Sequence, residues 1–414
     1  MKIKILAIVG VCISTSAFAG GYRVALQGQS AIGMGHTGVS ASENSETVFF
    51  NPAGMSFLDK KFDITTGVTL IDGVTKYQNV DSNTSAETDN PVGTPLSLYV
   101  AQKYNQDFSY GFGFYTPFGN TVEWEKDWPG SHLVNNISLT TMFFQPTISY
   151  KFKDIVSVGI GPSFVSGSVD FNRNLSTALV DENGDRANVT IKASNITAWG
   201  YNVGLRVKPT KEISFGASYR SQVDLEARGE SADFQNIPAS MSVAYPDTTF
   251  DADLVLPAEL TVGMSLSIGD TVVAIDVNRT FWSAYEDLDV TFMNSVGLSA
   301  NPRNYADANI YRFGLQHHVL GNLTIRAGAY YDESPISDGY YTPETARNDS
   351  IGITAGASYA ITKRLGLDVS LLYLMFDEFN GSYDYYDQSG TIISFGGDYL
   401  SSVATIGFGL NYKY

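Results

Sequence analysis

Thr405-Ile406-Gly407-Phe408-Gly409-Leu410-Asn411-Tyr412-Lys413-Tyr414 is the stretch that decides the fold. Its even positions are large and apolar, and its odd positions are polar or small. A period of two makes an extended strand with one apolar face. The same pattern runs through Leu260, Val262, Met264, Leu266 and Ile268, and through Trp199, Tyr201, Val203, Leu205 and Val207. It returns in Leu323 to Tyr331 and in Ile351 to Tyr359. Alternation over about ten residues suits a strand crossing a membrane, with apolar side chains toward lipid and the others toward a lumen. A soluble sandwich alternates as well, so single strands do not choose between the two.

The connections choose. Strands are expected near 61–72, 96–104, 108–118, 139–152, 155–171, 194–208, 212–228, 257–269, 271–292, 309–319, 322–333, 350–361, 364–378 and 401–414. Short turns fall at Asn105-Gln106-Asp107, Lys153-Asp154, Pro209-Thr210-Lys211, Gly269-Asp270, Leu320-Gly321 and Thr362-Lys363. Long polar stretches fall at about 73–95, 119–138, 172–193, 229–256, 293–308, 334–349 and 379–400. Short and long alternate without exception, which puts every short turn at one end and every long loop at the other. That is the layout of an outer-membrane barrel, and closure leaves no unpaired edge for lipid to meet. The fold class is all-β: a 14-stranded antiparallel transmembrane β-barrel.

The first residues read as a secretory leader spanning 1–19. Lys2 and Lys4 are followed by an apolar core, Ile5 to Ile13, and a small-x-small site at Ala17-Phe18-Ala19. That core is too short to span a bilayer. Cys12 is the one cysteine and lies inside the leader, so disulfide staples and thiolate metal sites are excluded beyond it. The 26 Lys and Arg stand against 43 Asp and Glu, a net charge of −17, which argues against a nucleic-acid partner.

Residues 20–60 do not alternate, and 61–414 carry the barrel pattern. The segment is too apolar around Val48-Phe49-Phe50 for a disordered arm. A plug folded within the lumen accounts for it; a periplasmic tail is the other reading. Within the segment, Thr47-Val48-Phe49-Phe50-Asn51-Pro52-Ala53-Gly54-Met55 resembles the NPA segment of the FadL/TodX family, outer-membrane transporters of long-chain fatty acids and aromatic hydrocarbons. Gly33-Met34-Gly35-His36-Thr37-Gly38 is similar to that family's N-terminal hatch. So are Tyr110 to Gly119 followed by Asp127-Trp128-Pro129-Gly130 to its third strand and second loop. Leu256 to Leu260, Tyr311 to Gly314 and Arg326 to Pro335 extend the resemblance over nearly the whole chain. It implies a barrel plugged by a hatch, a bacterial outer-membrane location, and an inward kink in the third strand that opens the wall toward lipid.

A fatty-acid carrier must hold an alkyl chain and a carboxylate. Each buried methylene contributes ~0.8 kcal/mol, so an apolar slot supplies most of the affinity. The carboxylate needs a cation. Strand parity points Arg206, Arg220, Arg312 and Arg326 into the lumen, with Arg206 near the rim. Arg220, Arg312 and Arg326 are therefore the candidate ligand-binding residues, and pairing with luminal acids is their structural alternative. The candidate gate combines Asn51, Pro52 and Ala53 with Gly111, Gly113 and Pro117, which weaken one strand and permit a bend. Those glycines would equally fit beneath the plug. Residues 229–256 hold Phe234, Ile237, Met241, Val243, Tyr245 and Phe250, an apolar set suited to substrate entry.

No enzyme is expected. His36, His132, His317 and His318 are the only histidines, and no metal spacing, P-loop or nucleophile elbow appears. Asp181-Glu182-Asn183-Gly184-Asp185 lacks the full calcium-loop ligands and reads as a solvated turn. No cofactor is implied. The expected function is uptake of long-chain fatty acids or similar hydrophobic compounds by a monomer among outer-membrane lipids. Aromatic hydrocarbon uptake, a general porin and an outer-membrane lipase are the alternatives.

Overall fold

The computed structural model describes residues 21–24, 26–175, 179–386 and 392–414; the leader expected at 1–19 lies outside the described residues. Fourteen strands follow one another around a closed antiparallel barrel. They are β1 (Phe62–Asn79), β2 (Leu96–Lys103), β3 (Phe108–Tyr115, resuming at Gly119–Glu123), β4 (Asn136–Phe152) and β5 (Val156–Asn174). Next come β6 (Asn188–Val207), β7 (Ile213–Arg220, resuming at Val223–Gln235), β8 (Thr248–Leu256, resuming at Glu259–Ile268), β9 (Thr271–Thr280) and β10 (Ala308–Leu320). The last are β11 (Leu323–Asp332), β12 (Ser350–Ala360), β13 (Leu365–Phe376, resuming at Phe379–Tyr386) and β14 (Ile392–Lys413). The barrel closes where β1 pairs with β14, from Asp63↔Lys413 to Gln78↔Asp398.

Alternation becomes a wall with two faces. In β13, Leu367, Val369, Leu371, Tyr373 and Met375 are exposed, while Asp368, Ser370, Leu372 and Leu374 are buried. Phe313, Ile353 and Phe408 continue the exposed apolar surface on neighbouring strands. A belt of that extent would aggregate in water, and it matches a hydrocarbon surround. No helix among the described residues is long and apolar enough to cross a membrane.

Several elements depart from the sequence expectation. β9 stops at Thr280 instead of running to 292, because Trp282 and Tyr285 turn into the barrel and are buried there. β7 and β8 extend well past the expected edges, so much of 229–256 is strand rather than loop. Phe234 and Phe250 are buried in that extension and cluster with Phe292, which stabilises the ladder beyond the membrane-like belt. Leu320 still pairs with Leu323, which moves the expected turn one residue on.

Residues 21–58 bond to inward-facing groups on strands around the wall. Asp276 on β9 accepts from the Gly38 N–H at 2.7 Å and the Val39 N–H at 3.1 Å. Asn51 donates to the Leu205 carbonyl on β6 at 3.0 Å, Gln145 on β4 donates to the Val48 carbonyl at 2.9 Å, and Gly35 N–H donates to Thr354 on β12 at 2.9 Å. The segment contains two short helices, α1 (Gln29–Gly33) and α2 (Thr47–Phe50), and a 3-10 turn at Pro52–Phe57 capped by the Asn51 side chain. Glycines of the wall mark its path. A Cβ at Gly204 would lie 2.1 Å from Asn51 Oδ1, at Gly216 2.1 Å from the Val39 carbonyl, and at Gly328 2.3 Å from Gly35 N. At Gly216 and Gly328 backbone approaches backbone, and at all three positions a side chain would push the two segments apart.

Candidate transport site

The long-loop end of the lumen holds a cavity of about 110 Å³. Ile137 and Leu139 of β4, Val169 and Phe171 of β5, Val189 and Ile191 of β6, Leu225 of β7, and Phe250 and Leu254 of β8 line it. Alternation sets these residues inward, since those sharing a strand are an even number of positions apart. Tyr22 forms part of the floor. Its ring packs edge-on against Trp282 at 5.0 Å and Tyr285 at 5.3 Å, and its hydroxyl donates to the Val255 carbonyl. Burial pushes the Tyr285 hydroxyl up to about 12, so it stays protonated.

One end of the cavity is polar. Arg303, in the connection after β9, donates to Glu344 Oε1 at 2.7 Å, and both side chains are buried. Burial opposes the arginine's charge, but Glu344, Tyr285 and Tyr383 outweigh it and hold the guanidinium above its ordinary pKa. Arg173 also lines the cavity and donates to Ser299 at 3.0 Å.

Below Tyr22 lies a second, polar cavity of about 40 Å³ lined by Arg23, His36, Phe49, Arg220, Glu259 and Arg312 among others. Glu259 pairs with Arg23 and with Arg220, the latter at 3.5 Å. The Arg220 guanidinium lies 4.0 Å from the Phe49 ring centre and donates to the Phe49 carbonyl. His36 is buried with no hydrogen-bond partner on either ring nitrogen among the described residues. Burial lowers its pKa well below the usual range, and Arg312 and Arg23 add to that, so the imidazole is neutral.

The same stretch of chain touches the break in β3. Val24 N–H donates to the Pro117 carbonyl at 2.8 Å, and Gly119 N–H donates to the Tyr22 carbonyl at 2.9 Å. Residues 116–118 thus bond to the N-terminal segment, while Thr141 on β4 donates to the Phe118 carbonyl at 2.6 Å. On the other side the β2–β3 ladder runs from Lys103↔Ser109 to Leu98↔Phe114, and further along Asp89 N–H donates to the Glu123 carbonyl at 2.8 Å.

A family model described as outer membrane protein transport protein (OMPP1/FadL/TodX) matches residues 10–414. The chain belongs to the OMPP1/FadL/TodX family. Relatives within it include the long-chain fatty acid transport protein of Escherichia coli K12, 22% identical, with 89% of this chain and 91% of the relative covered. A 47 kDa outer membrane protein of Pasteurella multocida is also 22% identical, over 87% and 89% of the two chains. Among solved structures, a Pseudomonas aeruginosa FadL homologue superposes with a TM-score of 0.81 at 18% identity, covering 95% of this chain and all of that one. The Pseudomonas putida toluene transporter TodX reaches 0.74 at 18% identity, over 96% and 99%. These likenesses show the fold: a closed FadL-like barrel of fourteen strands, multi-pass in the outer membrane.

Of the residues expected from sequence, Arg220 and Arg312 share the polar cavity, beside the Phe49 that precedes the Asn51-Pro52-Ala53 turn. Arg326 lies apart, in a cavity with Glu43, Glu46 and Asp368, donating to Gln316 at 2.7 Å and to Ser358. None of the three lines the apolar cavity. Gly111 and Gly113 face Val48 of the N-terminal segment, and Pro117 accepts from Val24 as above. Tyr22, Arg23, Arg303 and Glu344 escaped the sequence reading. Arg303 and Glu344 sit in connections, where no strand parity assigns a direction.

Proposed function

We propose that this chain takes up long-chain fatty acids or similar hydrophobic compounds through the outer membrane. The apolar cavity inside the long-loop end carries the reading: a predominantly aliphatic and aromatic lining contributed by strands of the barrel. In this reading residues 20–60 are the hatch and 61–414 the barrel, after a leader at 1–19. Hydrophobic small molecules are the cargo, outer-membrane lipids the surroundings, and the monomer the working unit. Transport is the family's description, and the proposal involves no catalytic step.

The route runs from the cavity past Tyr22 to Arg220 and Arg312, where a carboxylate would exchange with Glu259. Exit is lateral, beside the break in β3 at Pro117, beyond the point where the β2–β3 ladder ends at Leu98↔Phe114. The Tyr22–Val24 stretch holds residues 116–118 inward, and the Asn51-Pro52-Ala53 turn seats the hatch beside it. Arg326 lies off this route, in the cavity with Glu43, Glu46 and Asp368. The experiment is a reversible lock. Arg23 and Phe118 are opposed in an antiparallel bridge, so R23C/F118C brings two thiols to cross-linking range. Oxidised, the variant should bind hexadecanoate and fail to import it; reduction should restore uptake. Import by the cross-linked protein would refute this gate.

A further inference from the structure

The apolar cavity contains as many acids as bases. Its charged lining residues are Arg173, Arg303, Asp253 and Glu344. Asp253 is tied to Arg228 at 2.6 Å on the exposed side. The deep pair is Arg303 and Glu344, whose side chains are 7% and 9% exposed. The arginine fork is occupied: Nη2 donates to Glu344 Oε1 at 2.7 Å, and Nη1 donates to the Tyr383 hydroxyl at 3.2 Å and to the Asn301 and Pro302 carbonyls at 3.3 Å. Glu344 does not depend on this pair for its place. Asn120 donates to its carbonyl at 2.7 Å, and Trp124 donates to the preceding Pro343 carbonyl at 3.3 Å.

We propose that Glu344 is a specificity-determining residue: it occupies the face of Arg303 that an anionic head group would use, so the cavity selects hydrophobic molecules with uncharged heads over carboxylates. Hydrocarbons, long-chain alcohols and esters fit that description. The inference rests on the reading of this cavity as the place where cargo binds. The physics is a displacement problem. An incoming carboxylate that took Arg303 would strand Glu344, a buried acid whose ion pair among the described residues is with Arg303, and an unpaired buried charge is strongly unfavourable. A hydroxyl or an alkane asks for no such exchange. The chain's net charge of −17 acts in the same direction on an anion approaching from outside.

A pair that only stapled two loops together would alter stability without altering preference among ligands. The test therefore compares hexadecanoate with hexadecanol and methyl hexadecanoate on the purified full chain at pH 8. The wild type should bind the alcohol and ester at least about tenfold more tightly than the acid. Glu344→Gln frees the guanidinium and should raise acid binding about tenfold relative to the alcohol. The R303Q/E344Q double variant has neither charge and should keep the wild-type order, which separates head-group recognition from loop damage. Equal binding of acid and alcohol by the wild type overturns the proposal without any variant. So does an unchanged ratio in folded Glu344→Gln. Leu139→Trp, which fills the cavity, tests the underlying reading separately: if it leaves the affinity for all three ligands intact, cargo binds elsewhere.

Discussion

Glu46 is a carboxylate buried where α1 begins, accepting from the Ser30 N–H at 3.1 Å and the Ala31 N–H at 3.2 Å. Burial raises its pKa to about 7; Asp368 adds to the rise, while the two N–H donors and Arg326 oppose it. The folded value thus exceeds the ordinary 4.5, so the folded chain holds the proton more tightly than the unfolded one. The stabilisation is fully present below the unfolded pKa and is lost as pH rises through about 7. Its ceiling is about 3 kcal/mol. Glu43, Asp368 and Arg326 face the same small cavity and tune the response. Hydrogen exchange at Ser30 and Ala31, corrected for intrinsic rates, should show stronger protection at pH 5.5 than at pH 8. Glu46→Gln should flatten that difference. Equal protection at both pH values in the wild type would place the docking energy in other groups, with Asp276 the first to examine.

β3 shows what a strand gains by failing to be regular. Gly111 and Gly113 remove side chains, and Pro117 removes a donor, so the ladder gives way just where the N-terminal segment offers replacement bonds. The alternating faces, the even strand count and the inward arginines were all legible beforehand, because period two is local and survives without tertiary knowledge. The glycines were legible as small inward positions but not as contacts, since their partners lie far off in sequence. A Cβ at Gly111 would meet the Val100 carbonyl at 2.5 Å and Met55 Sδ at 2.7 Å; at Gly113 it would meet Val48 at 3.1 Å. From sequence, valine at either site promises a straighter strand with no loss of heat resistance. The contacts alter the second half of that expectation. Gly111→Val should slow uptake and also lower the melting temperature, by overpacking worth about 1–3 kcal/mol. Gly113→Val should do less on both counts. Equilibrium binding should hold in each, because the apolar cavity lies at the other end of the lumen. Normal uptake by a folded Gly111→Val protein would count against release beside this strand.

At the scale of the whole molecule, the rhythm of short and long connections pointed to the fold and told the two ends of the barrel apart. It worked because a closed barrel with an even number of strands has two ends that differ in job. What the rhythm could not convey is how far the wall continues beyond the belt. β5 runs to Asn174 and β6 starts at Asn188, so the expected loop of 172–193 shrinks to a tip around Asp181 to Asp185. Nor could it reach Arg303 and Glu344, which meet across two connections with no period to follow. The tip nevertheless makes orientation testable. Asp185 is exposed, and Asp181 organises the turn by accepting from the Asn183 and Asp185 N–H groups at 2.8 Å each. Lys153 is exposed at the opposite end, in the turn between β4 and β5. The only cysteine in the sequence is Cys12, within the expected leader, so an introduced thiol would have no competitor in the remainder of the chain. Asp185→Cys should react with an impermeant maleimide on intact cells, and Lys153→Cys should react only after the outer membrane is opened. Both substitutions touch exposed side chains and should leave the barrel's heat resistance unchanged. The reverse labelling order would turn the barrel over, and with it the assignment of the apolar cavity to the side from which cargo arrives.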